Sequence, residues 1–257
     1  MRSGLVTAIR TLTALPVPGR DADRLASALR WFPVVGLLLG GILYAAARVA
    51  GLLAGDGWSQ GCAIFVTGLG ILLTKGLHLD GLADFADGFG NWHEKDKTLS
   101  IMKDPHMGVF GAASIVFVLL VKWISLTRLI ASGSSLIIIS GYVVSRAMLV
   151  ELACSYPYAR SEKGTAAPFV QDARPVDRIV ALVCAAGALL FLNGFVGIAL
   201  FTIGWIACRL LGHWSKKRIG GITGDVLGAG SELIETMTFF LCALPGKELS
   251  RWYFLPG

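Results

Sequence analysis

Charged residues are scarce in this chain. Asp, Glu, Lys and Arg make up 16% of its 257 residues, against about 25% in an ordinary soluble domain. With 54% of residues apolar and a mean hydropathy of +0.67, that scarcity excludes a typical soluble enzyme. It excludes disorder as well, because disordered chains are poor in apolar surface to bury. The 32 glycines follow no Gly-X-Y period, so they are not collagen; glycine at this frequency suits closely packed transmembrane helices. Cysteine is sparse too: Cys62, Cys154, Cys184, Cys208 and Cys242 are widely separated, within or beside apolar runs. They form neither a CxxC site nor a disulfide framework and are expected to be buried thiols. No cleavable leader is expected in the first thirty residues either, since Arg2, Arg10, Arg20, Arg24 and Arg30 interrupt them. This segment is expected to stay on the mature protein, with residues 3–15 lying along a membrane surface.

Long apolar runs, by contrast, are abundant. A hydrocarbon core of about 30 Å takes about 20 residues of helix, and seven candidate spans result: 32–53, 61–77, 109–131, 136–154, two within 179–211, and 226–244. The 179–211 run exceeds one crossing and contains Asn193-Gly194, a turn-forming pair that divides it. The expected fold is therefore all-α, a single polytopic membrane domain over residues 1–257 with about seven transmembrane helices. The N-terminal segment and the 80–108, 155–178 and 213–224 loops carry five, three, four and three Lys/Arg, whereas the alternate connections at 54–60, 132–135 and 193–194 carry none. By the positive-inside rule the N-terminus and those three loops face the cytoplasm. Topology also accounts for most of the net charge of +6, which argues against a nucleic-acid partner.

The second span runs into His78-Leu79-Asp80-Gly81-Leu82-Ala83-Asp84-Phe85-Ala86-Asp87-Gly88. If the helix continues at 100° per residue, Asp80, Asp84 and Asp87 lie within about 60° of one another. Like charges one turn apart repel, and no Lys or Arg lies within the motif. A hard divalent cation, Mg²⁺ or Mn²⁺, shared with substrate phosphate oxygens, is the natural partner of such a face. Next comes Lys103-Asp104-Pro105-His106. Lys103 and His106 read as phosphate contacts, and Asp104 either as a further ligand or as the cap of the third span. Lys216-Lys217-Arg218 and the glycine-rich stretch to Thr223 and Asp225 read either as an anion cradle or as a basic anchor with a turn. The 156–169 loop, with Tyr156, Tyr158 and Arg160, would suit a nucleotide or flat ligand. In the last span Glu232 must face a polar interior, for which Arg146 is a candidate partner, while Lys122, Arg128 and Arg48 have the reach to snorkel.

Taken together, 78–88, Ile101-Met102-Lys103-Asp104 with Gly108 and Gly111, and Gly221-Ile222-Thr223-Gly224-Asp225-Val226-Leu227-Gly228 resemble the cobalamin synthase family. The resemblance extends to Thr13-Ala14-Leu15-Pro16 and Phe32-Pro33-Val34-Val35-Gly36 and so covers nearly the whole chain. It implies a Mg²⁺-dependent transferase of the bacterial inner membrane, acting at the cytoplasmic face and compatible with a homo-oligomer. Such an enzyme joins adenosylcobinamide-GDP to α-ribazole, or to its 5′-phosphate, with release of GMP. On this reading Asp80, Asp84 and Asp87 hold the metal, and one of them, or Asp104 or Asp225, is the catalytic base. Lys103, His106, Arg160, Lys216, Lys217, Arg218 and Thr223 would contact substrate. The chain departs from many relatives in having Pro105-His106 where they have Ser-Arg. Two other classes compete. A CDP-alcohol phosphotransferase would need an arginine-containing acidic motif that is not found, and an ion-coupled transporter would place its acids near the bilayer midplane rather than at the cytoplasmic rim.

Overall fold

The computed structural model describes residues 2–55, 57–90, 94–160 and 164–245. Among them the regular structure is helical, with one isolated parallel bridge between Tyr158 and Ile222. Helix α1 (Arg2–Leu12) and a short 3-10 helix (Leu25–Trp31) precede α2 (Phe32–Ala54), whose Pro33 sits in the first turn, where its missing N–H costs nothing. Then follow α3 (Ser59–Thr74), α4 (Leu77–Phe89), α5 (Lys95–Ile101), α6 (Val109–Ala131), α7 (Ile137–Ser155), α8 (Ala167–Gln171), α9 (Pro175–Ile219) and α10 (Gly224–Ala243).

Helix α7 is the axis of the bundle. It packs against α2, α9 and α10, and Val143, Val144, Ala147, Met148, Val150 and Leu152 are fully buried. The outer helices instead present Phe65, Leu72, Phe117, Phe191 and Phe195 outward, as expected where the solvent is lipid. Among the described residues five helices are long and apolar enough to cross a membrane, and six if the bent pair α3–α4 forms one span. Helix α9 is 45 residues long but folds back at Gly194, whose φ of 58° is open to glycine. Arg178 and Arg209 both bond Glu151, at 2.7 and 3.3 Å; along a straight helix they would stand about 46 Å apart. The expected division at Asn193-Gly194 therefore holds, and each arm is long enough for a crossing.

Four expectations are corrected. The helix of the second span does not run on through the acid motif: Lys75 and Gly76 are both left-handed (φ 55° and 64°), and α4 leaves α3 at 89°. The second arm of α9 continues to Ile219, so Lys216, Lys217 and Arg218 form its last turn rather than a loop, where they complement the helix dipole. Lys122 does not snorkel. It is buried between α6 and α10 and bonds both Glu232 (2.6 Å) and Glu235 (2.7 Å), because its ammonium faces the protein rather than the lipid. Arg146 accordingly bonds Glu235 (2.6 Å), not Glu232, and lies over the Tyr142 ring. Lys247 and Arg251 lie outside the described residues.

The four interior charges cancel, and removing one partner strands the others. Glu235→Ala should destabilise the protein by about 3–5 kcal/mol, read as a fall in thermal unfolding temperature in detergent. A loss below about 1 kcal/mol would show that the interior ions are solvated rather than paired.

Candidate functional site

Helix α4 lies across the beginnings of α6 and α10, at the end of the bundle. Its approach to α10 is backbone on backbone: a Cβ on Gly81 would stand 3.1 Å from the Asp225 Cα and 3.2 Å from that of Gly228. Glycine at both positions lets the backbones cross this closely without displacement, which brings the acids of α4 beside Asp225.

Asp87 is committed to structure. Its two carboxylate oxygens accept the backbone N–H groups of Gly108 (2.7 Å) and Gly111 (2.8 Å). The N-cap of α6 is Gly108, which has no side chain to satisfy those donors, so Asp87 does so from another helix. Asp104, a candidate for that cap, stands in an exposed turn instead. There it accepts His106 N–H (2.9 Å) and pairs with the ring Nδ1 (2.7 Å), which holds its carboxyl below the usual range. Asp104 and His106 thus face each other rather than the α4 acids.

Asp80 is exposed and Asp84 half-buried, and neither makes a hydrogen bond or ion pair with a described residue. Burial, and then the negative charges of Asp225, Asp80 and Asp87, push Asp84 up to about 6 against the opposing pull of Arg160. On α10, Asp225 Oδ2 accepts Arg160 (2.8 Å) and the Thr223 hydroxyl (3.2 Å). Thr223, expected to touch substrate, is fully buried, and its hydroxyl also caps α10 at the Val226 N–H. Its contribution is to hold Asp225.

Arg160 reaches this point because its segment is stitched to the glycine-rich loop. Ile222 N–H bonds the Pro157 carbonyl (2.9 Å) and Ala159 N–H bonds the Ile222 carbonyl (2.8 Å). The first of these bonds occupies the Ile222 N–H, one backbone donor of the glycine-rich loop. A cleft of about 430 Å³ opens beside Arg160, with Lys95 and Lys103 on its rim. Lys95, whose Nζ would lie 3.2 Å from a Cβ on Gly220, was not singled out by the sequence; it counted only towards the charge of its loop. On the other side, about 390 Å³ lies between Asp80 and Asp225 and an apolar wall that includes Leu12, Leu29, Phe32 and Phe169. Lys216 and Lys217 are exposed on the last turn of α9, apart from both clefts.

Among the described residues no three His, Cys, Asp or Glu converge as a complete metal cage. The two unpartnered carboxylates nevertheless fit a hard divalent ion, because Mg²⁺ takes one or two carboxylates and fills its remaining positions with water and substrate phosphate. Burial chiefly, and the neighbouring carboxylates in addition, raise Asp84, and such an ion would offset both by supplying positive charge.

In the metal-free protein, burying the ionised Asp84 carboxylate beside other acids costs stability. With its folded-state value near 6 against about 3.9 unfolded, Asp84 destabilises the fold increasingly as pH rises from about 4 to 6, and constantly above that. Asp84→Asn should therefore unfold at a higher temperature than the parent at pH 7.5 in chelator, with the gap closing towards pH 4. A gap that is absent, or that widens on acidification, would contradict the placement of these charges.

The chain as a whole is also similar to known sequences. A sequence model described as cobalamin-5-phosphate synthase matches residues 4–243. The adenosylcobinamide-GDP ribazoletransferase of Chlorobaculum parvum is 48% identical over 261 positions, covering 97% of this chain and 98% of that protein. That of Chlorobium phaeovibrioides is 46% identical over 238 positions (91% and 94%), and that of Shewanella frigidimarina 36% over 250 (93% of each). No solved structure matches the chain.

Proposed function

This chain belongs to the cobalamin-5-phosphate synthase family, and from that premise we propose that it joins adenosylcobinamide-GDP to α-ribazole, or to its 5′-phosphate, and releases GMP. The observation that carries the chemistry is the pair of unpartnered carboxylates, Asp80 and Asp84, beside the Arg160–Asp225 ion pair at the polar end of the bundle.

In the reaction a ribose hydroxyl oxygen attacks the phosphorus nearer cobinamide, the bond from that phosphorus to the bridging oxygen breaks, and GMP departs with the bond's electron pair. Little covalent work falls to the protein, so positioning and charge stabilisation dominate. Asp80 and Asp84 would hold Mg²⁺, or Mn²⁺ in its place, which neutralises charge on the pyrophosphate and on the departing GMP. Asp225 is positioned to accept the hydroxyl proton. Arg160 and Thr223 fix its Oδ2, while its Oδ1 bonds to no described residue. Arg160 and the lysines of the adjoining cleft supply the positive charge that draws a nucleoside diphosphate to the acids. The basic residues that sort to one side of the spans support a bacterial inner-membrane protein with this site in the cytoplasm.

Membranes bearing the protein, incubated with adenosylcobinamide-GDP, α-ribazole and Mg²⁺, should yield GMP and the joined corrinoid; folded protein that yields neither would overturn the reading. Asp84→Asn should lower turnover at least about 100-fold without loss of membrane insertion, and near-normal turnover would remove Asp84 from the reaction. A reporter fused after Gly90 should read cytoplasmic, and a periplasmic signal would invert the topology.

A further inference from the structure

The two clefts beside the Arg160–Asp225 pair differ in chemistry, and the pair forms part of the wall of each: Arg160 lines one and Asp225 the other. The first is lined by Lys95, Lys103 and Arg160 with one carboxylate, Asp96, among them, and is net positive. The second is apolar over most of its wall, with Phe32 and Phe169 set 6.1 Å apart at 48°, and it is acidic at one end, where Asp80 and Asp225 stand. Resting on the reaction proposed above, we infer that the apolar cleft is the acceptor subsite. It takes the flat, uncharged benzimidazole of α-ribazole between the 3-10 helix, the start of α2 and α8, while the cationic cleft takes the guanosine diphosphate portion of the donor.

Three physical arguments converge on this division. In the cleft beside Arg160 three cations outnumber the one carboxylate, Asp96, whereas the other cleft holds two carboxylates and no Lys or Arg; with the divalent ion held by Asp80 and Asp84 between the two, the donor phosphates belong on the Arg160 side. An uncharged bicyclic aromatic gains from burial against Phe32, Phe169, Leu12 and Leu29 and gains nothing from lysines. At about 390 Å³ the apolar cleft also falls in the size range of small-molecule sites. Seated this way, the nucleoside turns its ribose towards Asp225, which was assigned the hydroxyl proton on separate grounds. The α4 acids lie between the subsites: Asp80 faces the apolar cleft, and Gly88, at the far end of α4, packs against Met102, whose carbonyl accepts Arg160. The face of α4 is thereby spanned from acceptor to donor.

The test is equilibrium binding to protein in lipid nanodiscs, measured separately for α-ribazole and for GMP, without turnover. Phe169→Ala removes an aromatic wall, and Thr165→Trp, at an exposed position in the turn beside the cleft, narrows it without disturbing the core. Each should raise the dissociation constant for α-ribazole about tenfold and leave that for GMP within about twofold. Lys95→Ala should do the reverse. In steady-state assays the same variants should raise KM for one substrate only. Parent protein that binds both ligands, with the Phe169 and Thr165 variants weakening GMP or affecting neither ligand, would overturn the division while leaving the proposed reaction intact. Parent protein that binds neither ligand would overturn the proposed reaction and this division with it.

Discussion

A charge carried into an apolar bundle has to meet its opposite there, and this constraint organises the protein. Lys122, Arg146, Glu232 and Glu235 neutralise one another between α6, α7 and α10. Glu151 is fully buried on α7 and draws Arg178 and Arg209 from the two arms of α9, while buried Asp177 ties Arg24 and Arg30 of the N-terminal segment to the base of α9. These pairs fix which helices are neighbours, and truncating either member leaves an uncompensated ion in a medium that does not solvate it. Asp80 and Asp84 stand outside this scheme. Among the described residues they have no hydrogen-bond or ion-pair partner, which is why the proposed cation and phosphate oxygens are assigned to the rim of the bundle.

The second organising feature is the contact of α4 with α10. Gly81 and Gly228 let two backbones meet at van der Waals distance, so carboxylates from separate segments share one surface. Asp87 then clamps the start of α6 to the same helix. The acid helix is thus held by backbone contact on one side and by a side-chain cap on the other, which presents its remaining acids in a fixed geometry. Preorganisation of that kind is what a phosphoryl transfer requires of a protein.

Much of this was legible in the sequence, because span length and charge sorting are set by the bilayer. The long apolar runs, the break at Asn193-Gly194 and the shared face of Asp80, Asp84 and Asp87 all follow from local pattern. What the sequence hid depends on tertiary partners. Nothing local distinguishes Asp87, a cap for a helix more than twenty residues away, from its neighbour Asp84. Lys122 reads as a snorkelling lysine until α10 supplies two glutamates. Thr223 reads as a cradle hydroxyl until its own helix start and Asp225 claim it. The bend at Lys75-Gly76 was masked because lysine is a rare left-handed residue. The role of Lys95 appears only once α5 is packed beside the end of α9.

The central claim is that Asp80 and Asp84 hold a divalent ion together with the phosphates of a nucleotide. Its most direct measurement is the electron paramagnetic resonance of Mn²⁺ titrated into nanodisc-embedded protein with GDP present. One bound ion per chain is expected, displaced by Mg²⁺, with binding lost in Asp80→Asn and in Asp84→Asn but retained in Asp104→Asn. Mn²⁺ binding that is unchanged by both α4 substitutions would contradict the account.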